Sequence, residues 1–292
     1  MASSQAGKVW FITGASSGFG RLLTEYVLSL GGSVVATARR PDLLNDLTTH
    51  YAANVQLLRL DVSRPSEVDA AVKDALARFG HVDVLVNNAG YGVTGAFEEV
   101  AEEEYRPMFE TNVFGLITLT QALLPQFRAR RSGNIVNLSS IGGLTGLPGW
   151  SMYNATKFAV EGMSEALGME LEPLGVHVTI IEPGPFRTEF LGTSGKKSNE
   201  LIADYAGTAH KTRAYMDAQN GKQAGDPQKA VEAIVAAVSA PKPPRHLLLG
   251  KLALERFRAK LKSWDEEIAE WEETTIGADF EGAVASTPYA SK

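Results

Sequence analysis

The sequence predicts an α/β protein in which helices cover both faces of one predominantly parallel sheet, and three observations carry that expectation. Short β-rich runs alternate with longer amphipathic stretches from the N-terminus to about residue 250. Several runs are almost continuously apolar, such as V-D-V-L-V and H-V-T-I-I, as suits strands covered on both faces. The first run passes directly into a glycine-rich turn, T-G-A-S-S-G-F-G, and then into an amphipathic segment.

Taken in order, strands are expected at Val9 to Thr13, Ser33 to Thr37, Val55 to Leu60, Val82 to Asn87, Asn134 to Ser139, Val176 to Glu182 and His246 to Leu249. Helical periodicity fills the gaps at Arg21 to Leu30, Ser66 to Phe79, Glu102 to Phe127, Tyr153 to Leu171 and Gln228 to Val238. Pro65, Pro173 and Pro227 fall at helix edges, where a missing N–H is tolerated. The segment from Pro183 to about Asp226 breaks the rhythm: it is rich in Gly, Lys, Thr and Asn, and reads either as a substrate lid or as a solvent-exposed excursion. In the tail, Leu254, Phe257, Leu261, Trp264, Ile268 and Trp271 recur at spacings of three and four, one apolar stripe on an otherwise charged helix. That stripe can pack on its own domain or against another subunit. The division read from these patterns is a single domain over residues 1–250, with 183–226 as its substrate loop, followed by a helical tail over 251–292.

Composition narrows the function classes. A formal charge of −6 argues against nucleic-acid or anionic-membrane partners, which require an electropositive face. With no cysteine, disulfides, thiolate nucleophiles and Cys-ligated metals are excluded, and the reading assigns no metal. The first eight residues lack an apolar signal core and no run reaches the ~18 residues of a membrane span, so a cytoplasmic protein is expected.

The chemistry-bearing residues cluster at the carboxyl ends of the expected strands, where open parallel sheets bind ligands. Gly14, Gly18 and Gly20, with Ser16, Ser17 and Phe19 between them, form a strand–turn–helix junction whose backbone N–H groups and positive helix end suit a pyrophosphate. At the end of the second strand, where an acidic residue would bond a free ribose 2′-hydroxyl, stands Ala38 followed by Arg39 and Arg40; cations there favour a 2′-phosphate, hence NADP(H) over NAD(H). The third strand ends at Leu60, Asp61 and Val62, with Asp61 placed to accept from the adenine amino group. The fourth ends in Asn87, Asn88, Ala89 and Gly90, small residues suited to close approach over the cofactor. Tyr153 and Lys157 lie one helical turn apart, so the ammonium is expected to lower the phenol's pKa and make Tyr153 a general acid or base. Ser140, thirteen residues upstream, is expected to bond the substrate oxygen.

These motifs, in this order over residues 7–250, resemble the short-chain dehydrogenase/reductase family: T-G-x-x-x-G-x-G at 13–20, N-N-A-G at 87–90, Ser140, Y-x-x-x-K at 153–157 and P-G at 183–184. The glycine spacing is that of the family's compact branch, and Y-N-A-T-K-F-A-V-E-G is most similar to the hydroxysteroid and retinol dehydrogenases. The resemblance implies a Rossmann-type doubly wound parallel sheet of seven strands. It adds Asn112 to Ser140, Tyr153 and Lys157 as a tetrad member that keeps a water connected to Lys157, and implies cofactor contacts at Asn88, Pro183, Gly184 and Thr188. Many NADP-using relatives carry a basic residue inside the glycine turn; Ser16 and Ser17 occupy those positions here, so Arg39 and Arg40 must carry the discrimination. A homodimer or homotetramer built on the helices at Glu102 to Phe127 and Tyr153 to Leu171 is likewise implied.

The expected function is NADP(H)-dependent hydride transfer on a lipophilic carbonyl or alcohol, with Gly142, Leu144, Leu147, Trp150, Phe186, Phe190 and Leu191 as pocket residues. The alternatives are a non-redox isomerase or dehydratase acting on an enolisable natural product, and a catalytically silent NADP-binding sensor.

Overall fold

The computed structural model describes residues 5–284. Along the chain it forms β1 (Val9–Ile12), α1 (Gly18–Ser29), β2 (Ser33–Ala38), a short α2 (Asp46–Tyr51), β3 (Val55–Arg59), α3 (Pro65–Phe79), β4 (Val84–Asn87) and β5 (Gly92–Thr94). Then follow α4 (Glu102–Phe109), α5 (Gly115–Arg130), β6 (Gly133–Leu138), α6 (Ser151–Leu171), β7 (Val176–Pro183) and β8 (Gly195–Lys197). The chain continues through α7 (Ala209–Gln219), α8 (Pro227–Val238), β9 (His246–Leu249) and α9 (Lys251–Ile276).

Seven strands make one sheet in the order β3-β2-β1-β4-β6-β7-β9, every neighbouring pair parallel. The expected doubly wound seven-stranded architecture is therefore the observed one. Alternation along β1 shows why both faces are covered: Trp10 and Ile12 enter a core shared with Leu23 and Val27 of α1 and Ile234 of α8, whereas Val9 and Phe11 enter the opposite core with Val68 of α3 and Leu119 of α5. Strand order reverses beside β1, whose neighbours are β2 on one side and β4 on the other, and that reversal opens a crevice at the carboxyl ends of the strands.

Three stretches depart from the sequence expectation. The single helix expected over Glu102 to Phe127 is two helices, α4 and α5, joined by a π-helical turn at Glu110–Phe114 that carries Asn112. The segment from Pro183 to Asp226 is ordered: β8 pairs in parallel with β5, and α7 buries Ala209 and Met216 against the body. Its anchor is Glu99, whose carboxylate accepts hydrogen bonds from the N–H groups of Ala96 and Ile202, at 2.7 Å each, and lies 2.6 Å from His210 Nε2. Burial opposes ionisation of Glu99, but these bonds outweigh it and hold the carboxyl at about 2. Finally, α9 does not pack its stripe on its own domain: of its residues only Ala253 is buried, and Leu261, Trp264, Ile268 and Trp271 are exposed. Among the described residues no helix is long and apolar enough to cross a membrane.

Candidate active site

The glycine turn is held in place by β4. Asn88 Nδ2 donates to the carbonyls of Thr13 at 2.8 Å and Gly14 at 3.2 Å, and Thr13 Oγ1 accepts from the N–H groups of Asn88 and Ala89. Two of the glycines are required by space. Gly14 has φ +63°, and a Cβ on Gly20 would stand 2.4 Å from the Gly14 carbonyl oxygen and 2.6 Å from Asn88 Nδ2. Ser17, at the start of α1, makes no side-chain cap bond, which leaves the first N–H groups of the helix directed at the crevice.

That crevice is a cleft of about 990 Å³. Its walls include Gly14, Ser16, Ser17, Gly18 and Phe19 of the turn, Arg39 and Arg40 after β2, Asp61 and Val62 after β3, and Asn88, Ala89 and Gly90 after β4. Pro183, Gly184 and Thr188 close the far side, beside Ser140, Tyr153 and Lys157. Gly20 is not on the wall; it packs beneath the turn. Asp61 also serves the turn before α3, its Oδ1 accepting from the Ser63 N–H at 3.1 Å and hydroxyl at 2.7 Å.

Tyr153 and Lys157 rise from α6 and are 7% and 6% exposed, and Ser140 stands at the end of β6 with its Oγ accepting from the Gly142 N–H at 3.0 Å. Burial dominates the electrostatics. It pushes the Tyr153 phenol up to about 12, against a smaller opposing effect of the Ser140 hydroxyl, and pulls Lys157 down to about 8. The expectation that Lys157 lowers the phenol's pKa therefore fails in this geometry. The Lys157 ammonium is turned to the Leu138 carbonyl, 2.6 Å away, and sits 5.8 Å from the centre of the Tyr153 ring.

Asn112 is buried behind the cleft and does not line it. Its Nδ2 donates to the Tyr91 carbonyl at 2.8 Å and Thr156 Oγ1 at 3.1 Å, and its Oδ1 accepts from the Tyr91 N–H at 3.0 Å. It pins the strand-end segment to α6. A methyl-sized point beside Gly90 lies 3.1 Å from Asn112 Oδ1 and 3.8 Å from Lys157 Nζ, so the two residues are neighbours.

Of the expected pocket residues, Phe186, Phe190 and Leu191 line the cleft, and Gly142, Leu144, Leu147 and Trp150 do not. The chain between β6 and α6 folds back beneath Tyr153, so that Trp150 packs behind the phenol, ring centres 5.3 Å apart, and supports it from the protein side. Phe190 completes the aromatic cluster at 5.5 Å from Tyr153.

Three residues escaped sequence reasoning. Tyr91 and Lys196 line the cleft mouth, the ammonium 4.7 Å from the ring centre. Glu161, one turn beyond Lys157 on the same face of α6, is 5% exposed, is hydrogen-bonded by the Ser139 hydroxyl and exerts the Coulombic pull that partly offsets burial at Lys157. Burial pushes Glu161 itself up to about 7. Its signal was the spacing 153, 157, 161, which repeats every four residues.

A sequence profile described as short chain dehydrogenase matches residues 8–199. The chain belongs to the short chain dehydrogenase family. Among curated members it is 33% identical to "Oxidoreductase BOA17" of Botryotinia fuckeliana, over 93% of this chain and 99% of the relative. It is 37% identical to a 3-ketodihydrosphingosine reductase of Bacteroides thetaiotaomicron, over 88% and 93%. A crystal structure of a short-chain dehydrogenase from Streptomyces avermitilis shares 44% identity with a TM-score of 0.86, covering 93% of this chain and all of that one. This short chain dehydrogenase thus has the fold, length and motif order of oxidoreductases acting on a CH–OH/C=O pair.

Proposed function

We propose that this short chain dehydrogenase is an NADP(H)-dependent carbonyl reductase acting on a lipophilic ketone or aldehyde. The observation that carries the reading is one continuous cleft that joins the glycine turn, Arg39 and Arg40 at one end to Ser140, Tyr153 and Lys157 at the other. The nucleotide's fit is supported by the missing Cβ atoms of Gly14 and Gly20, the uncapped start of α1 and the two exposed arginines. Thr188 stands beside the turn, its Cβ 3.7 Å from where a Gly18 side chain would begin, and we assign its hydroxyl to the nicotinamide carboxamide.

When bound, the nicotinamide supplies the hydride to the carbonyl carbon. Ser140 Oγ–H donates to the carbonyl oxygen and polarises it. As the carbon is reduced, the oxygen becomes an alkoxide, a far stronger base than a phenolate. Proton transfer from Tyr153 is then downhill even with the phenol held at about 12. We assign Lys157 to reloading the phenol after transfer: its ammonium and Asn112 are neighbours across Gly90, and a water between them would carry the proton. A phenol this weakly acidic stays protonated near neutral pH, so it is available as the acid in reduction.

The substrate end is apolar where Phe186, Phe190 and Leu191 line it, and carries Lys196 and Arg106 at its mouth, which suits a lipophilic carbonyl compound with a polar end. Assembly through the face of α4, α5 and α6 is supported by exposed apolar side chains, Phe114 on the turn between α4 and α5 and Phe158 and Met169 on α6. The test of function is to mix the protein with NADPH and a panel of lipophilic ketones and follow the nicotinamide absorbance. Ketone-dependent oxidation of NADPH is expected; substrate conversion without loss of NADPH would point to isomerisation instead.

A further inference from the structure

We propose that α9 is the docking element for a second copy of this chain, and that two α9 helices pair antiparallel as a short coiled coil. At 26 residues the helix is about 39 Å long. It touches β9 and the turn at Ile141–Gly143, buries Ala253 and half-buries Arg256, Phe257 and Lys260, and from Leu261 onward every residue of the helix is exposed, so this part projects as a rod. The apolar stripe follows a heptad, with Leu254, Leu261 and Ile268 at one seam position and Phe257, Trp264 and Trp271 at the other. Leu261 and Trp264 are each 48% exposed, Ile268 61% and Trp271 60%, a contiguous ridge that a lone helix in water would not retain.

Charge selects the occupant and its direction. Residues 251–262 carry five cations and one carboxylate, whereas residues 265–273 carry six carboxylates and no cation. Both halves oppose the helix dipole, which favours acids at the start and bases at the end, so the pattern is not explained by the helix alone. A second copy running the other way places each basic half against an acidic half. Centring the stripe on itself puts Leu254 against the partner's Trp271, Phe257 against the partner's Ile268 and Leu261 against the partner's Trp264. The flanking positions then pair Lys260 with the partner's Glu267, Arg258 with the partner's Asp265 and Lys251 with the partner's Glu272, each twice by symmetry. Parallel pairing would instead set Glu267 against the partner's Glu272 and basic half against basic half. A membrane surface is the poorer occupant, since interfacial helices carry a basic polar face and half of this one is acidic. The two α/β bodies then lie at opposite ends of the paired helices, since each body is joined to the N-terminal end of its own α9.

Because the chain has no cysteine, Phe257→Cys and Ile268→Cys proteins can be prepared separately and treated with a short bis-maleimide, alone and mixed. The mixture should cross-link and neither protein alone should. Lys260→Glu placed in both should cut the yield roughly tenfold, and adding Glu267→Lys should restore it, which separates pairing from misfolding. Cross-linking of either single protein alone would mean a parallel pair and overturn the proposal. So would absence of cross-linking in the mixture, whether the protein stays free or sediments with phosphatidylcholine vesicles.

Discussion

Arg39→Ala removes one of two guanidinium groups at the end of β2, where the glycine turn offers only Ser16 and Ser17 and no cation of its own. Arg39 is exposed and has no carboxylate partner within salt-bridge distance among the described residues, so its charge faces the cleft uncompensated. A hydrogen bond between charged groups contributes roughly 1.5–3 kcal/mol, and solvent exposure draws the value toward the lower limit. The Kd for NADPH should therefore rise roughly tenfold in Arg39→Ala and roughly a hundredfold when Arg40→Ala is added. NADH lacks the 2′-phosphate, and its Kd should hardly move. Nucleotide fluorescence titrations at low and high salt measure both, and the gap between wild type and variant should narrow at high salt as screening grows. Equal losses for NADPH and NADH would refute the assignment of phosphate recognition to these arginines.

Other perturbations test other parts of the site. A Cβ on Gly92 would stand 2.7 Å from the Trp150 ring and 3.2 Å from the Tyr153 ring, so Gly92→Ala should lower turnover roughly tenfold through displaced packing, with NADPH affinity retained; unchanged turnover would mean that the aromatic cluster does not position the phenol. Glu99→Gln should destabilise the protein by roughly 1.5–3 kcal/mol in urea unfolding near neutral pH. Glu99 is held at about 2 against an ordinary 4.5, so its contribution is full above pH 4.5 and fades as pH falls toward 2; a difference between wild type and variant that persists across that window would contradict the anchor. With burial holding Tyr153 at about 12, the ultraviolet difference between wild type and Tyr153→Phe, measured without nucleotide, should show no tyrosinate signal near pH 8. A signal there would mean that Lys157 overrides burial.

The strands were legible because being covered on two faces forces nearly unbroken apolar runs, and β9, at His246–Leu249, falls where its short run of leucines placed it. The grouping of Ser140, Tyr153 and Lys157 in one cleft was legible because Tyr153 and Lys157 share one helix face and Ser140 follows a strand. What the sequence hid is tertiary in origin. The helix α7 presents few apolar residues, and its place depends on Glu99, more than a hundred residues away, meeting His210. Glu161 looks like any helix-surface acid until β7 and β9 cover it, and Trp150 looks like a pocket wall until the chain folds back and sets it behind Tyr153. The sign of the Tyr153 shift was missed for the same reason: spacing shows that a lysine is near, whereas burial, which wins here, is visible only once the fold has closed over both.

The central claim is that the Tyr153 hydroxyl delivers the proton that completes carbonyl reduction. Single-turnover oxidation of bound NADPH by a lipophilic ketone, compared between wild type and Tyr153→Phe, tests it directly, since the variant lacks one oxygen atom and nothing else. The rate should fall by roughly a thousandfold while the Kd for NADPH stays unchanged. Retention of the wild-type rate with nucleotide bound would contradict the account.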